Sequence, residues 1–129
     1  NKIEFTYIGN VDKKYEFSNT NILQPLSGLE LAEEIKDHDI YITGSLNEPS
    51  GNHHIEAALC GLPILYVNSG GIPEYCQDYG LEIDMENFEE KILYMIDYYD
   101  IFKNKMKNYP FESKKMSSNY LELFNNLQD

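Results

Sequence analysis

Two glutamates separated by seven residues form the densest group of chemically capable side chains in the sequence. Glu48 lies in a loop rich in Gly, Ser, Asn and Pro, and Glu56 lies about one turn into the helix predicted to follow. Between them, Gly51 allows a ligand to approach the backbone closely. The amides of Asn52 and His53 begin that helix, where unpaired N–H groups and the positive end of the dipole favour an anion. Since a carboxylate can accept both hydrogen bonds of a vicinal diol, the group suits a phosphorylated sugar.

Other interpretations of the same residues remain open at this stage. Glu48 could be an ordinary loop carboxylate and Glu56 a solvent-facing helix residue. His53 and His54 could join a glutamate in a metal site, but adjacent helical residues point about 100° apart, and the H-E-x-x-H pattern is absent. We therefore expect no metal, and a histidine that adds a hydrogen bond to a phosphate is the more natural role.

Short apolar runs alternate with amphipathic stretches along the chain, which indicates an α/β fold. Strands are predicted at 3–8, 22–24, 39–43 and 63–67, with a small edge strand at 81–83. Helices are predicted after Ser27, at 52–59 and 72–76, from Met85 to Pro110, and at 113–127. The run 63–67 is apolar without alternation, which is typical of a strand covered on both faces. This order of elements predicts an open, mostly parallel sheet.

In such sheets ligands bind beyond the carboxyl ends of the strands. Three loops have that position, at 9–10, at 44–52 and at 68–71. None of them contains G-x-G-x-x-G or a P-loop, so a dinucleotide oxidoreductase or a P-loop NTPase is poorly supported. The turn Ser69-Gly70-Gly71 could wrap a sugar or phosphate, although a tight strand-to-helix turn explains the two glycines equally well.

The stretch around the two glutamates resembles the E-x7-E motif of retaining glycosyltransferases of the GT-B fold, in particular glycosyltransferase family 4. The family pattern is roughly E-P-F-G-x-x-x-x-E-A-x-x-x-G-x-P-V, then a strand, then G-G-x-x-E. The matching positions are Glu48-Pro49, Gly51, Glu56-Ala57, Gly61, Pro63-Ile64, Gly70-Gly71 and Glu74. The similarity covers essentially the whole chain as the C-terminal, donor-binding domain, and it implies a Rossmann-like sheet with helices on both faces.

The resemblance also implies a reaction and a role for each matched residue. The reaction transfers a sugar from a nucleotide diphosphate sugar to an acceptor hydroxyl with retention, and no metal or other cofactor is expected. Glu48, the catalytic candidate, would contact hydroxyls of the donor sugar, and Glu56 would hold the ribose hydroxyls. The remaining donor-binding candidates are Gly51, the N–H groups of Asn52 and His53 for the distal phosphate, Leu26 beside the nucleobase, and Gly70 with Gly71.

The sequence departs from the family pattern in two places. Ser50 replaces the usual aromatic residue, and Asn52-His53-His54 replaces an apolar run. The family's cationic residues that neutralise the diphosphate lie on a βα unit before this chain, and the acceptor site lies on an N-terminal domain. We therefore interpret residues 1–129 as a single nucleotide-sugar-binding domain, a fragment that is inactive when isolated. A glycan or lipid-linked acceptor would bind the missing domain.

Composition limits the partners of the chain. Its 129 residues include 10 lysines, no arginine and 22 acidic residues, for a net charge of −12. This charge argues against nucleic acid and against an anionic membrane surface. No apolar run approaches the roughly 20 residues of a membrane span, no signal peptide is evident, and Cys60 and Cys76 are expected to be reduced thiols. We therefore expect a cytoplasmic protein, with any membrane association falling to the missing part.

Two other functional classes stay open. The first is a non-catalytic nucleotide- or carbohydrate-binding or assembly domain of the same fold, which the acidic charge and the absence of nearby basic residues would favour. The second is another Rossmann-like enzyme, such as a sugar-nucleotide epimerase. The presence of both motif glutamates, Glu48 and Glu56, favours the transferase.

Overall fold

Five short strands and six helices lie along residues 2–127, the part of the chain that this computed structural model describes. The strands are β1 (Phe5–Ile8), β2 (Thr20–Leu23), β3 (Tyr41–Thr43), β4 (Ile64–Tyr66) and β5 (Gly80–Glu82). The helices are α1 (Gly28–Lys36), α2 (His53–Leu59), α3 (Ile72–Cys76), α4 (Phe88–Asp97), α5 (Tyr99–Met106) and α6 (Ser113–Asn126).

The strands form two parallel ladders rather than one continuous sheet. β1 pairs with β2, with Phe5 opposite Thr20. β3, β4 and β5 form the second ladder, in that order. At its edge, a side chain on Gly80 would run into the carbonyl oxygen of Ile64, so a glycine is required where β5 lies against β4. The parallel direction was predicted, but the division into two ladders was not.

The central strand β4 is buried on both faces, as its unbroken apolar sequence predicts. Ile64 and Tyr66 pack with α2 and α3, whereas Leu65 points to the other face and packs with α4. All three residues are at most 4% exposed. Alternate residues of one strand thus anchor the helices of both layers.

Helices cover both faces of the larger sheet. On one face α1 and α2 pack together through Ile35 and Ala57, beside Tyr41 of β3. On the opposite face Ile40 and Ile42 contact the apolar side of α4. This arrangement confirms the predicted α/β class with helices on both faces.

The C-terminal region differs from the single long helix expected between Met85 and Pro110. The chain forms α4 and α5, with a break at Tyr98, whose φ of −111° and ψ of 26° are not helical. Met95 and Phe102 on either side of the break are buried in one cluster. The final helix α6 has no buried residue. Within residues 2–127 no helix is long and apolar enough to cross a membrane.

Candidate functional site

The loop that follows β3 is fastened to the turn that follows β4. The N–H of Gly71 donates a hydrogen bond of 2.9 Å to the carbonyl oxygen of Glu48. One residue earlier in the loop, the N–H of Asn47 donates to Ser69 Oγ at 2.8 Å. The backbone position of Glu48 is therefore set by a turn about 20 residues further along the chain.

Gly70 and Gly71 are required by this loop-to-turn contact. A Cβ on Gly70 would collide with the backbone of Glu48, and a Cβ on Gly71 would collide with the carbonyl oxygen of Pro49. Gly70 also has a φ of +60°, which L side chains rarely adopt. Close packing thus accounts for both glycines, and their contact with a donor remains a prediction.

The helix α2 begins where the sequence places it, with Asn52 as its N-cap residue. The N–H of Glu56 donates to the carbonyl oxygen of Asn52 at 2.8 Å, which closes the first turn. His53 and Glu56 are three residues apart and therefore lie on the same side of the helix. Glu56 is exposed, while Ala57 and Ala58 pack into the core. The helix thus presents His53 and Glu56 together.

The ring of His53 is held from both sides. Its Nδ1 lies 2.9 Å from the hydroxyl of Tyr41, and its Nε2 lies 3.5 Å from Ser45 Oγ. Burial, with a smaller contribution from Glu56, raises the pKa of Tyr41 to about 12. The phenol therefore stays protonated at neutral pH, and when it donates to Nδ1 the proton of a neutral ring resides on Nε2.

Sequence reasoning missed the roles of Tyr41 and Ser45. The available signal was the alternation of the strand, which places Tyr41 on the opposite face from Ile40 and Ile42. That alternation does not reveal that a histidine twelve residues later would reach the tyrosine hydroxyl.

Gly51 allows the Glu48 side chain and the His53 ring to lie close together. A Cβ on Gly51 would stand 2.9 Å from both Glu48 Cγ and His53 Nε2. Any other residue at this position would need to push one of the two side chains away. Side chains of the same motif thus lie close to Gly51, and the approach of a ligand to its backbone remains a prediction.

His54 lies behind the site rather than in it. Its side chain is fully buried beside the rings of His53 and Tyr75, and neither ring nitrogen has a hydrogen-bonding partner among residues 2–127. Burial, and then the neighbouring His53, lower the pKa of His54, while Glu48 acts in the opposite direction. His54 is therefore neutral at physiological pH.

Side chains that commonly bind metal ions do not cluster in the described part of the chain. Residues 2–127 contain no group of three or more His, Cys, Asp or Glu side chains that could hold a metal ion. Both cysteines are free, with Cys76 fully buried and Cys60 half-buried against α1.

A groove of about 1280 Å³ runs between the two ladders, and the motif meets it at one end. Leu26, His53 and Glu56 line that end, which lies at the carboxyl ends of β2 and β3. The other predicted site residues, which are Glu48, Gly51, Asn52, Gly70 and Gly71, do not line the groove. Since the His53 ring touches the groove and also lies near Glu48, it connects the two groups of predicted residues.

Comparison with known proteins gives one family match. A family model described as "Glycosyl transferases group 1" matches residues 5–110, from the first residue of β1 to just beyond α5. No curated protein matches the chain.

Proposed function

The chain belongs to the glycosyl transferases group 1 family, and from this membership we propose that it is the donor-binding half of a retaining glycosyltransferase. The proposed enzyme transfers a sugar from a nucleotide diphosphate sugar to an acceptor hydroxyl. The observation that carries the proposal is the position of His53, which lies near both motif glutamates. Glu56 lines the groove, and Glu48 lies in the adjoining loop.

The nucleoside of the donor is proposed to lie in the end of the groove that Leu26, His53 and Glu56 line. Leu26 is half-buried there and offers an apolar surface to the base. Glu56 is exposed on the same groove, where its carboxylate can accept hydrogen bonds from both ribose hydroxyls. These two residues come from different elements, one after β2 and the other on α2, and they support one binding mode.

The diphosphate is proposed to lie at the first turn of α2. The N–H groups of Asn52 and His53 are free of intrahelical partners at this end. With its proton on Nε2, the His53 ring adds a donor, and Tyr41 fixes the ring's orientation. These donors would stabilise the charge that develops on the leaving phosphate.

Glu48 is proposed as the catalytic residue that contacts the hydroxyls of the donor sugar. Its side chain is half-buried beside His53, and its backbone is fixed by Gly71. Because its backbone is fixed, the carboxylate starts from a set position in the loop, which favours precise orientation of the sugar. Gly70 and Gly71 would contribute by holding this loop in place.

The charge of the chain indicates that further cations come from elsewhere. Among residues 2–127, Lys2 is the only lysine that lines the groove, and it pairs with Glu4 at 3.0 Å. The donor diphosphate would meet two motif carboxylates without a neutralising cation beside it. We therefore propose that another part of the protein supplies those cations and binds the glycan or lipid-linked acceptor in the cytoplasm. The isolated chain should bind weakly and should not turn over.

Ligand-observed NMR of the chain with UDP, GDP, ADP and CMP tests the donor site. One nucleotide should bind in preference to the others. Glu56→Ala should weaken its binding about tenfold to a hundredfold, because hydrogen bonds to a charged group contribute about 1.5–3 kcal/mol. Glu33→Ala is the matched control, since Glu33 is an exposed glutamate on α1 that does not line the groove. Equal binding by the Glu56 variant would place the nucleotide elsewhere.

The catalytic assignment needs the intact protein and its products. Glu48→Ala should lower the transfer rate by about 10²–10³, the range found when a group that stabilises a transition state is removed. Nucleotide binding should change less, because Glu48 does not line the groove. Wild-type turnover in both glutamate variants would overturn the assignment.

The alternative is a non-catalytic binding or assembly domain of the same fold. The net charge of −12 favours it, as does the presence of only one lysine, among residues 2–127, at the groove. Nucleotide-sugar binding by the intact protein without release of the nucleotide would support this alternative against the enzyme.

A further inference from the structure

Both ring nitrogens of His53 face hydroxyl groups. The Tyr41 hydroxyl lies 2.9 Å from Nδ1, and Ser45 Oγ lies 3.5 Å from Nε2. A hydroxyl can donate to a bare ring nitrogen or accept from a protonated one, whereas a carbonyl oxygen can only accept. These surroundings therefore suit the ring both in its neutral form and as an imidazolium with a proton on each nitrogen.

The neighbouring His54 has the opposite surroundings. The two rings lie 4.9 Å apart, edge to face. His54 is fully buried, and neither of its ring nitrogens has a hydrogen-bonding partner among residues 2–127. Burial lowers the pKa of His54, so this ring is neutral at physiological pH. Since two adjacent imidazoles repel when both are charged, a neutral His54 leaves His53 as the ring of the pair that can take up a proton.

Carboxylates lie near His53 on two elements. Glu56 is one turn further along α2, on the same side of the helix and on the same groove. Glu48 approaches from the loop before α2, since one Cβ position on Gly51 would stand 2.9 Å from both Glu48 Cγ and His53 Nε2. On β3 the titratable group is Tyr41, whose pKa burial raises to about 12, so it remains a neutral hydroxyl. The charged groups closest to the ring therefore favour its protonated form.

The groove wall beyond His53 and Glu56 is mainly acidic. Within residues 2–127, its other charged or basic side chains are Lys2, Glu4, Glu34, Asp37, His38 and Asp39. Lys2 pairs with Glu4 at 3.0 Å, so carboxylates predominate along the rest of the wall. Such surroundings oppose the binding of an anion and favour a proton on a nearby imidazole. A diphosphate is therefore expected to bind here together with a compensating positive charge.

We propose that His53 takes up a proton when the diphosphate of the donor binds, and that the imidazolium is a positive charge which this chain itself gives to the leaving nucleotide. The proposal rests on the donor site proposed above and adds a change of charge to it. The proton comes from solvent when the nucleotide binds and returns to solvent when the nucleotide leaves. Cations from elsewhere in the protein would act in addition to this one.

The two hydrogen bonds of the ring follow from this change of charge. In the imidazolium, Nδ1–H donates to the oxygen of Tyr41, and Nε2–H is free to turn from Ser45 to a phosphate oxygen. Tyr41 is the positioning residue, because its hydroxyl changes from donor to acceptor without losing the contact. A charged donor strengthens the hydrogen bond to phosphate and stabilises the charge that develops on the leaving group.

Linkage between the proton and the nucleotide determines the sign of the pH dependence. An imidazole in water titrates near about pH 6.5, so at higher pH the proton must be acquired on binding. Nucleotide affinity should therefore rise as the pH falls from about 8.5 to about 7, by up to about tenfold per pH unit for one proton. Work above about pH 7 also keeps the terminal phosphate of the free nucleotide ionised, since a phosphate ordinarily titrates near about pH 6.

Nitrogen NMR signals of the histidine rings test the proposal, because they distinguish an imidazole from an imidazolium. The free chain is compared with the chain at millimolar UDP, GDP, ADP or inorganic pyrophosphate, near about pH 7.5, one unit above the ordinary titration point of the ring. On binding, the His53 signals should move to those of an imidazolium. The His54 signals should remain those of a neutral ring, and they are the internal control.

His53→Gln separates the charge from the hydrogen bond, because glutamine keeps a neutral N–H donor and cannot take up a proton. The variant should bind the preferred nucleotide with nearly constant affinity between about pH 7 and about pH 8.5, while wild type loses up to about tenfold per pH unit. His38→Gln is the matched control. His38 is half-buried like His53, but its Nδ1 donates at 2.8 Å to the carbonyl oxygen of Glu34, and its variant should keep the pH dependence of wild type.

Two results would overturn the proposal and leave the donor site in place. In the first, nucleotide binding depends on Glu56 but the His53 ring stays neutral. In the second, His53→Gln keeps the pH dependence of wild type, so another group takes up the proton. The ring signals of wild type decide the question if His53→Gln does not fold.

The pyrophosphate samples separate this proposal from the proposed function. Protonation of His53 by pyrophosphate, with nucleotide binding that Glu56→Ala does not weaken, would support the proposal and contradict the placement of the nucleoside. If neither pyrophosphate nor any nucleotide changed the His53 signals, the proposal would fail together with the placement of the diphosphate beside this ring.

Discussion

The carbonyl oxygen of Glu48 accepts a 2.9 Å hydrogen bond from the N–H of Gly71, which joins the loop after β3 to the turn after β4. The turn supports the loop, because the backbone of residues 48 and 49 fills the space beside its glycines, and contact of the turn with a donor stays a prediction. The motif E-x7-E and the later G-G pair therefore act as one structural unit. Changes in the glycines should reach Glu48 through the main chain.

Gly70→Ala should destabilise the protein and displace Glu48. A positive φ costs a residue with a Cβ about 1–2 kcal/mol, and insertion into a filled space adds about 1–3 kcal/mol. The free energy of unfolding in urea should therefore fall by about 2–5 kcal/mol. Gly44→Ala is the control, because no atom lies within 4 Å of its Cβ position, and it should change stability by less than about 0.5 kcal/mol. Equal losses in both variants would contradict the support role.

Tyr41→Phe should loosen the His53 ring. Loss of the phenol removes the partner of Nδ1 and should lower the free energy of unfolding by about 0.5–1.5 kcal/mol. The matched control is Tyr109→Phe, because the buried hydroxyl of Tyr109 has no hydrogen-bonding partner among residues 2–127 and its removal should be neutral or stabilising. Urea denaturation and the ring NMR signals of His53 measure both effects. Unaltered His53 signals in Tyr41→Phe would show that the contact does not orient the ring.

His54 should make the protein less stable in acid. The pKa of His54 is lowered by burial, so below pH 6.5 the unfolded chain binds a proton that the folded chain does not. The contribution of neutral His54 to stability is therefore fully present above pH 6.5. Below that pH the free energy of unfolding falls by up to about 1.4 kcal/mol per pH unit, the value for one proton. His54→Phe should flatten this dependence and keep stability near pH 7.5, since it removes two unpartnered polar atoms. The free energy of unfolding is measured against pH for both proteins. If that of His54→Phe fell below pH 6.5 as steeply as that of wild type, His54 would not be the cause of the acid sensitivity.

Cys76 and Tyr41 should make the protein less stable in base. Burial raises the pKa of the Cys76 thiol from 9.0 to about 12, and that of Tyr41 from 10.0 to about 12. Between about pH 9 and pH 12 the unfolded chain loses these protons before the folded chain does, so stability falls as the pH rises. Cys76→Ala should lower stability at neutral pH through lost packing but should reduce the slope above pH 9. Thermal unfolding from pH 7 to pH 11 measures both the stability at neutral pH and its decrease above pH 9. If the stability of Cys76→Ala decreased above pH 9 as steeply as that of wild type, Cys76 would not be a cause of the decrease.

Local signals in the sequence were sufficient for most individual elements. The run 63–67 predicted a strand buried on both faces because every position in it is apolar, and β4 confirms it. The α2 boundaries were predictable because Gly61 and Pro63 follow the helix closely. These features depend on residues near one another in the chain, which is why sequence patterns reveal them.

Features that depend on distant neighbours could not be predicted in the same way. The apolar period continues through Tyr98, so the break between α4 and α5 leaves no pattern. The contact of Tyr41 with His53 arises only when α2 packs against β3, and the packing of Gly70 against Glu48 arises only when β3 and β4 lie side by side. Strand patterns predict that strands form and leave their neighbours undetermined, so the division into two ladders was also not foreseen.

The division into two ladders has a consequence for cooperativity. No backbone hydrogen bond joins β1 or β2 to β3 within residues 2–127, so the β1–β2 pair is connected to the larger sheet through α1 and a few apolar side chains. Such a pair can open as a foldon of its own, at a lower free energy than global unfolding. Leu26 belongs to this weaker unit, whereas Glu48 and Glu56 belong to the stronger one. We therefore expect the two ends of the proposed donor site to unfold in separate steps.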